Sequence, residues 1–351
     1  MSLAAEASRE GGAAPAAVPV QPAPETHVDA GASRREGHLR SPVQTNLEGD
    51  DEYTVRWAWA DGFLEPGLTA VIRAKNEARS LPWVLPPLFR SVARVVFVDN
   101  DSTDGTAGIA RDVAEESGAR DRLEVFRYPF AVSRCGREHL LTPPTSVHSL
   151  AYFYNWSFSH VRSAYALKWD ADMVLTDAAS NVLRDLSWQL EGTAAIVSVP
   201  RVPLYVADER RAFLDMVQVN CEVWGWPNRP GYSFVKGMEW ELPLFPDRMT
   251  NLILPMWSCF ELKFLDADEF GHWSESSFAS SARTERKHRE WSVFQALAAG
   301  AEVPDGVLAI EAPPGSPHVI EYVRTTWMPE KAVEQPAFGE RLVKKLLLSA
   351  L

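Results

Sequence analysis

Three features of this 351-residue chain predict an α/β fold with a mostly parallel twisted sheet flanked by helices. Short β-branched runs alternate with helix-period stretches, each run stops at a polar cluster, and the alternation starts near residue 68. Strand–helix–strand connections of this kind are right-handed crossovers, which is why the strands come out parallel. With 46% hydrophobic and 23% charged residues, the chain has enough apolar surface to offset its ordering entropy.

Residues 1–50 stand apart. Gly11-Gly12-Ala13-Ala14-Pro15 and Val18-Pro19-Val20-Gln21-Pro22-Ala23-Pro24 offer no periodic apolar residues, as in a disordered Ala/Pro/Gly-rich tail. The first buried strand is expected at Leu68–Arg73. Ala78–Ser91 carries Leu81, Leu85, Leu88 and Phe89 at helical spacing, with Pro82, Pro86 and Pro87 restricting where the helix lies. Arg94–Val98 reads as a strand buried on both faces. It ends at Asp99-Asn100-Asp101-Ser102-Thr103-Asp104-Gly105-Thr106, a dense set of turn and cap residues before a helix over 107–116. Leu123–Phe126 is a third strand, 149–161 a helix, and Tyr165–Trp169 a fourth strand that runs into Asp170-Ala171-Asp172. Past residue 200 the pattern supports strands at 194–199 and 233–236, a helix over 284–298, and a C-terminal amphipathic helix from Phe338.

Composition narrows the function. A net charge of −12 argues against a nucleic-acid binder and is compatible with acids that hold a cation. No apolar run is long enough for a transmembrane helix, and the first residues lack a signal-peptide h-region, so a cytoplasmic protein is expected. Cys135, Cys221 and Cys259 lie far apart, without metal or disulfide spacing, and read as buried reduced thiols. Lys344 and Lys345 beside Leu342, Leu346, Leu347 and Leu348 suit peripheral membrane contact, with packing against the catalytic domain as the alternative.

In parallel sheets ligands bind beyond the carboxyl ends of the strands. Three polar clusters fall there: Arg73–Glu77, Asp99–Asp104 and Asp170–Asp172. Hard carboxylate oxygens at i and i+2 suit Mg²⁺ or Mn²⁺ beside substrate phosphates. Asp104 and Gly105 are expected mainly to shape the turn, and the P-loop and dinucleotide fingerprints are absent.

Taken together, Val71-Ile72-Arg73-Ala74-Lys75-Asn76-Glu77, Val98–Thr106 and Trp169-Asp170-Ala171-Asp172 resemble the family 2 glycosyltransferases of the GT-A fold, over roughly Leu68–Asp177. One departure is visible: Asp99-Asn100-Asp101-Ser102 stands where the family usually has Asp-Asp-Gly-Ser. The resemblance implies a GT-A-like domain, with a nucleotide-sugar-binding half over 51–200 and an acceptor-side half over 201–351. It further implies a hexosyltransferase-like enzyme that moves a sugar from a nucleotide-sugar donor to a saccharide or other hydroxyl acceptor, with a divalent ion and inversion at the anomeric carbon. Arg73, Glu77, Asp99, Asn155 and Asp170 would bind the donor, and Asp172, Asp170 and His272 the Mg²⁺ or Mn²⁺. A base is needed for the acceptor hydroxyl; Glu241 is preferred, then Glu239, with Glu222 also in range. Arg134 and Arg137 either face the diphosphate or form a solvated loop, and Trp224, Trp226, Trp240 and Trp257 either stack on an acceptor sugar or belong to the core. The Asp266-Ala267-Asp268 repeat reads as a polar turn. Two other readings use similar parts: a nucleotidyltransferase, which would show a Gly-rich basic loop after the first strand, and a non-catalytic nucleotide-sugar-binding module.

Overall fold

The apolar runs become the strands of an 11-stranded sheet, and the helical stretches cover both of its faces. The structure, a computed structural model, describes residues 41–327 except 191–192, 239, 247–248, 268–269 and 271–281, and leaves out the side chains of 187–188 and 282–285. In chain order the first part contains β1 (Val43–Gln44), β2 (Val55–Arg56), β3 (Glu65–Ala74), α1 (Leu81–Ser91), β4 (Arg94–Asp99), α2 (Thr106–Glu116), β5 (Leu123–Arg127), α3 (Arg137–Leu141), α4 (Leu150–Ser159) and β6 (Ser163–Asp170). The second part contains β7 (Met173–Leu175), α5 (Asp177–Gln189), β8 (Ala195–Val206), β9 (Arg211–Asp215), β10 (Asn220–Pro227), β11 (Ser233–Lys236), β12 (Glu241–Leu244), β13 (Thr250–Ile253), β14 (Cys259–Phe264), α6 (Ala282–Ala298), β15 (Val307–Glu311) and α7 (Val319–Thr325).

The sheet runs β15-β9-β8-β10-β6-β3-β4-β5, with β13 and β14 on β8, and β7 on β14. Strands β6, β3, β4 and β5 are parallel, as expected. Strand β10 is antiparallel to both β6 and β8, which makes the sheet as a whole mixed. Alternation along the strands sorts the core into two layers. Ala70 and Ile72 of β3 and Val95 and Phe97 of β4 pack with α1, α2 and α5. Val71, Val96 and Val98 point the other way, onto α4. Both faces being covered is what makes these strands continuously apolar.

Two expected boundaries shift. Within the segment read as a tail, β1 pairs with β2, and the Tyr152 hydroxyl of α4 donates to the carbonyls of Gln44 (3.0 Å) and Tyr53 (2.9 Å). Residues 41–57 thus lie over α4, nine of whose residues, Ala151 to Ser159, are buried. Strand β8 runs unbroken through residue 200, so the expected halves share it. Cys259 is buried as expected, but Cys135 and Cys221 are exposed; all three are free thiols. The C-terminal helix expected from Phe338 lies outside the described residues, among which no helix is long and apolar enough to cross a membrane.

Candidate functional site

Register brings the expected clusters to one edge. On β3, Ala74 lies opposite Asp99 of β4 while Arg73 lies opposite Asp170 of β6, at the carboxyl ends of all three strands.

The loops after β3 and β4 are fastened to each other. Asn76, in the left-handed region at φ 58°, donates its backbone N–H to Ser102 Oγ (2.9 Å) and accepts from the Thr103 N–H (2.8 Å). The Glu77 N–H donates to Thr106 Oγ1 (2.8 Å) and the Ala78 N–H to Asp104 (3.0 Å). Asp104 also accepts from the Thr106 N–H (3.0 Å), so it shapes the turn as expected. Burial opposes its ionisation, but the bonds from Thr106 and Ala78 outweigh that and lower its pKa. Gly105, at φ 86°, supplies the left-handed residue before α2. Asn100 has a structural task of its own. Its amide donates to the carbonyls of Tyr128 and Phe130, both at 2.8 Å, a task no carboxylate can perform. Asp99 is buried; its Oδ2 accepts only a long bond from the Ser102 N–H (3.4 Å), and its buried Oδ1 has no hydrogen-bond partner among the described residues. An unpaired buried acceptor is costly unless a ligand completes it.

Asp170 meets three cations: Arg73 at 3.3 Å, Arg201 at 3.8 Å and Lys168 at 3.9 Å. Arg73 lies over the Tyr154 ring at 3.4 Å, and its Nε and Nη1 are buried without hydrogen-bond partners among the described residues. Lys168 sits 4.1 Å over Trp224, a ring that also lies 5.4 Å from the Arg201 guanidinium. Asp172 accepts from Lys263 Nζ at 2.8 Å, and Lys263 also meets Glu261 at 2.9 Å. Burial, with Glu261 and Asp170 nearby, raises the Asp172 pKa against the pull of Lys263. Burial opposes ionisation of Glu261 too, but Arg201 (3.2 Å), Lys263 and Lys287 hold its carboxyl well below the usual range.

The hairpin of β11 and β12 completes this edge. Asn155, expected at the donor sugar and phosphate, is instead a clamp: buried on α4, it donates to the Phe234 carbonyl (2.9 Å) and accepts the Phe234 N–H (2.7 Å). That clamp fixes β11, which pairs with β12 so that Lys236 lies opposite Glu241, and the Glu241 carboxylate is near enough to the Tyr154 phenol to help raise its pKa. Burial holds the Tyr154 phenol well above its ordinary pKa, so it stays a neutral donor. Glu222 suits base chemistry poorly. Burial is overcome by Arg201, Lys168, Asn220 and Arg286, which pull its pKa down to about 2. Glu239 and His272 lie outside the described residues.

Other expectations separate in the same way. Trp224 and Trp226 are buried core rings rather than an acceptor platform, and Trp240 and Trp257 are partly exposed. Arg134 and Arg137 are exposed. Asp266 pairs with Arg79 at 2.5 Å in a turn, as its polar-turn reading implies, while Asp268 is outside the described residues.

A resident Mg²⁺ or Mn²⁺ needs carboxylate oxygens open to it. Here the Asp172 carboxylate carries an ammonium group at 2.8 Å and Asp170 is ringed by three cations. Among the described residues no three His, Cys, Asp or Glu side chains are grouped to hold a metal ion. This donor set does not fit the expected metal. Sequence reading also missed Lys168, Arg201, Glu261 and Lys263. The available signal was charge inside otherwise apolar strands, with Glu261 and Lys263 spaced to share one face of β14.

No protein-family model matches the sequence. No curated protein matches it either. Among solved structures, S. aureus TarS residues 1–349 is similar over 39% of this chain and 36% of its own, at 15% identity and a TM-score of 0.28. M. tuberculosis glucosyl-3-phosphoglycerate synthase with Mg²⁺ and uridine diphosphate is similar over 42% of this chain and 46% of its own, at 17% identity and a TM-score of 0.23. The same enzyme with Mn²⁺, UDP-glucose and phosphoglyceric acid gives 47% and 51% coverage at 17% identity and a TM-score of 0.23. This chain thus spans about a third to a half of the length of each, and the α/β assignment rests on strand order and register.

Proposed function

We propose that this protein is a glycosyltransferase that moves a sugar from a nucleoside-diphosphate-sugar donor to a hydroxyl acceptor. The observation that carries the reading is a division of labour along one sheet edge: an unsatisfied buried carboxylate at Asp99, and a cationic group around Asp170. Asp99 Oδ1 suits a base N–H or ribose hydroxyl, with Glu77 beside the nucleoside. Arg73, Lys168 and Arg201 suit phosphate oxygens, since guanidinium forks match phosphate geometry. Glu241 stands next to this group on the acceptor-side hairpin.

In this reading the acceptor oxygen attacks the anomeric carbon as Glu241 takes its proton. The bond from that carbon to the β-phosphate oxygen breaks, and its electron pair leaves with the nucleoside diphosphate. Attack opposite the leaving group inverts the anomeric centre. The family 2 resemblance and a cytoplasmic or membrane-peripheral site of action belong to the same proposal. Uridine diphosphate sugars are the first donors to test, because the similar solved structures bind them.

The test is nucleoside diphosphate release from a panel of nucleotide sugars, with calorimetric diphosphate affinity measured alongside. Glu241→Gln should lower turnover by about 100-fold or more while leaving affinity in place. Asp99→Asn should weaken affinity about tenfold or more. Affinity without turnover in the wild-type chain supports a non-catalytic binding module instead, and pyrophosphate release from a nucleoside triphosphate supports a nucleotidyltransferase.

A further inference from the structure

We infer that this chain neutralises the donor diphosphate with its own lysine and arginine side chains, centred on Lys263 and Arg201, rather than with a divalent cation held by Asp172. The inference rests on the glycosyltransferase reading and deepens it.

Departure of a nucleoside diphosphate leaves negative charge on the β-phosphate that something at the site must stabilise. Asp172, the acid at the expected metal position, carries Lys263 Nζ at 2.8 Å on one of its carboxylate oxygens. Lys263 is held there from the other side by Glu261 at 2.9 Å, and Glu261 also fixes Arg201 at 3.2 Å. All three side chains are over nine-tenths buried, at 8%, 7% and 8% exposure, so the ammonium position is built into the strands rather than reached by a flexible surface chain.

A dication entering here would have to displace Lys263 and approach Arg73, Lys168 and Arg201, each within 4.0 Å of Asp170. Those cations oppose a dication by Coulomb repulsion at such range, and both carboxylates that would hold it are already paired. A diphosphate has the opposite sign. It would relieve the same crowding by taking donors from Asp170, which is 33% exposed and forms the accessible face of the group. Arg73, 5% exposed, offers its unpartnered Nε and Nη1, and Arg201 its unpartnered Nε. Buried guanidinium donors without partners are what an anion site looks like before its anion arrives.

The experiment is calorimetric binding of the adenosine, guanosine, uridine, cytidine and thymidine diphosphates to the full chain, in EDTA and in MnCl₂. At least one should bind with affinities equal within about twofold in the two conditions. Asp172→Asn should tighten that binding by about twofold or more, because Lys263 gains freedom to turn to phosphate; a metal ligand would instead lose it. Lys263→Met should weaken binding about tenfold, or about 1.4 kcal/mol, in both conditions. Should Lys263→Met fail to fold, Asp172→Asn decides alone, since it leaves Lys263 paired with Glu261. Binding that requires Mn²⁺ and disappears in Asp172→Asn overturns this inference and leaves the glycosyltransferase reading standing. Absence of binding for all five diphosphates in both conditions overturns both.

Discussion

The two ends of the candidate site are built on the same sheet edge by opposite means. At the ends of β3 and β4, short hydrogen bonds between neighbouring loops shape the turn around Asp99, whose Oδ1 has no hydrogen-bond partner among the described residues. At the end of β6 and within β8 and β14, acids and bases from well-separated segments hold one another, as in Asp170–Arg201 and Asp172–Lys263. The first arrangement leaves a single acceptor free to discriminate a ligand's hydrogen-bond pattern. The second keeps many charges close together without a ligand, ready to be re-partnered by one. Specificity and charge handling are therefore separate properties of this edge, and substitutions should pull them apart.

The largest effect is expected from Arg201→Met. Arg201 bridges Glu261, Glu222 and Asp170 while only 8% exposed. Its removal leaves Glu261 buried with part of its compensation gone, which should cost about 3–5 kcal/mol in urea unfolding. An unfolding midpoint equal to that of the wild type would mean that the charges at this end relax into solvent and are not mutually dependent.

The hydrogen-bonded end should yield less. Asn100→Asp replaces an amide that donates to two carbonyls at 2.8 Å with a group that can only repel them when ionised. Loss of two bonds in a buried setting should cost about 2 kcal/mol at neutral pH. Much of that loss should return in acid as the new carboxyl protonates, which a pH series of unfolding midpoints will show. A flat series would remove the donor role assigned to Asn100.

This contrast also marks what could be read from the residues alone. Arg73, Asp99, Asp170 and Asp172 announced themselves because each ends an apolar run at a turn, a signal carried within a few neighbours in sequence. Arg201 and Lys263 lie inside strands and give no such signal. They reach the edge only because β8 pairs with β14 in parallel, with Cys259 opposite Arg201. Pairing between segments that far apart is decided by tertiary packing, which local pattern does not encode. Asn155 follows the same rule. Position before the Asp-x-Asp strand pointed to the donor, whereas the Phe234 backbone beside it takes both ends of its amide. Residues 41–50 were hidden by composition. Glu48, in that stretch, accepts from Ser146 Oγ (2.5 Å) and the Val147 N–H (2.9 Å), contacts that no count of alanine and proline reveals.

The smallest effect, and the sharpest test of the charged end, is its response to acid. Glu222 has a folded pKa of about 2 against an ordinary value of 4.5. A lowered carboxyl binds fewer protons in the folded chain than in the unfolded one. Its stabilising contribution is therefore complete above pH 4.5 and is lost as the pH falls from 4.5 toward 2. The side chain is 42% exposed, and solvent screening leaves about 1 kcal/mol of the effect. Glu222→Gln should accordingly flatten the slope of melting temperature against pH inside that window and leave it unchanged above it. A variant whose slope matches the wild type would show that Arg201 and Arg286 do not hold Glu222 ionised.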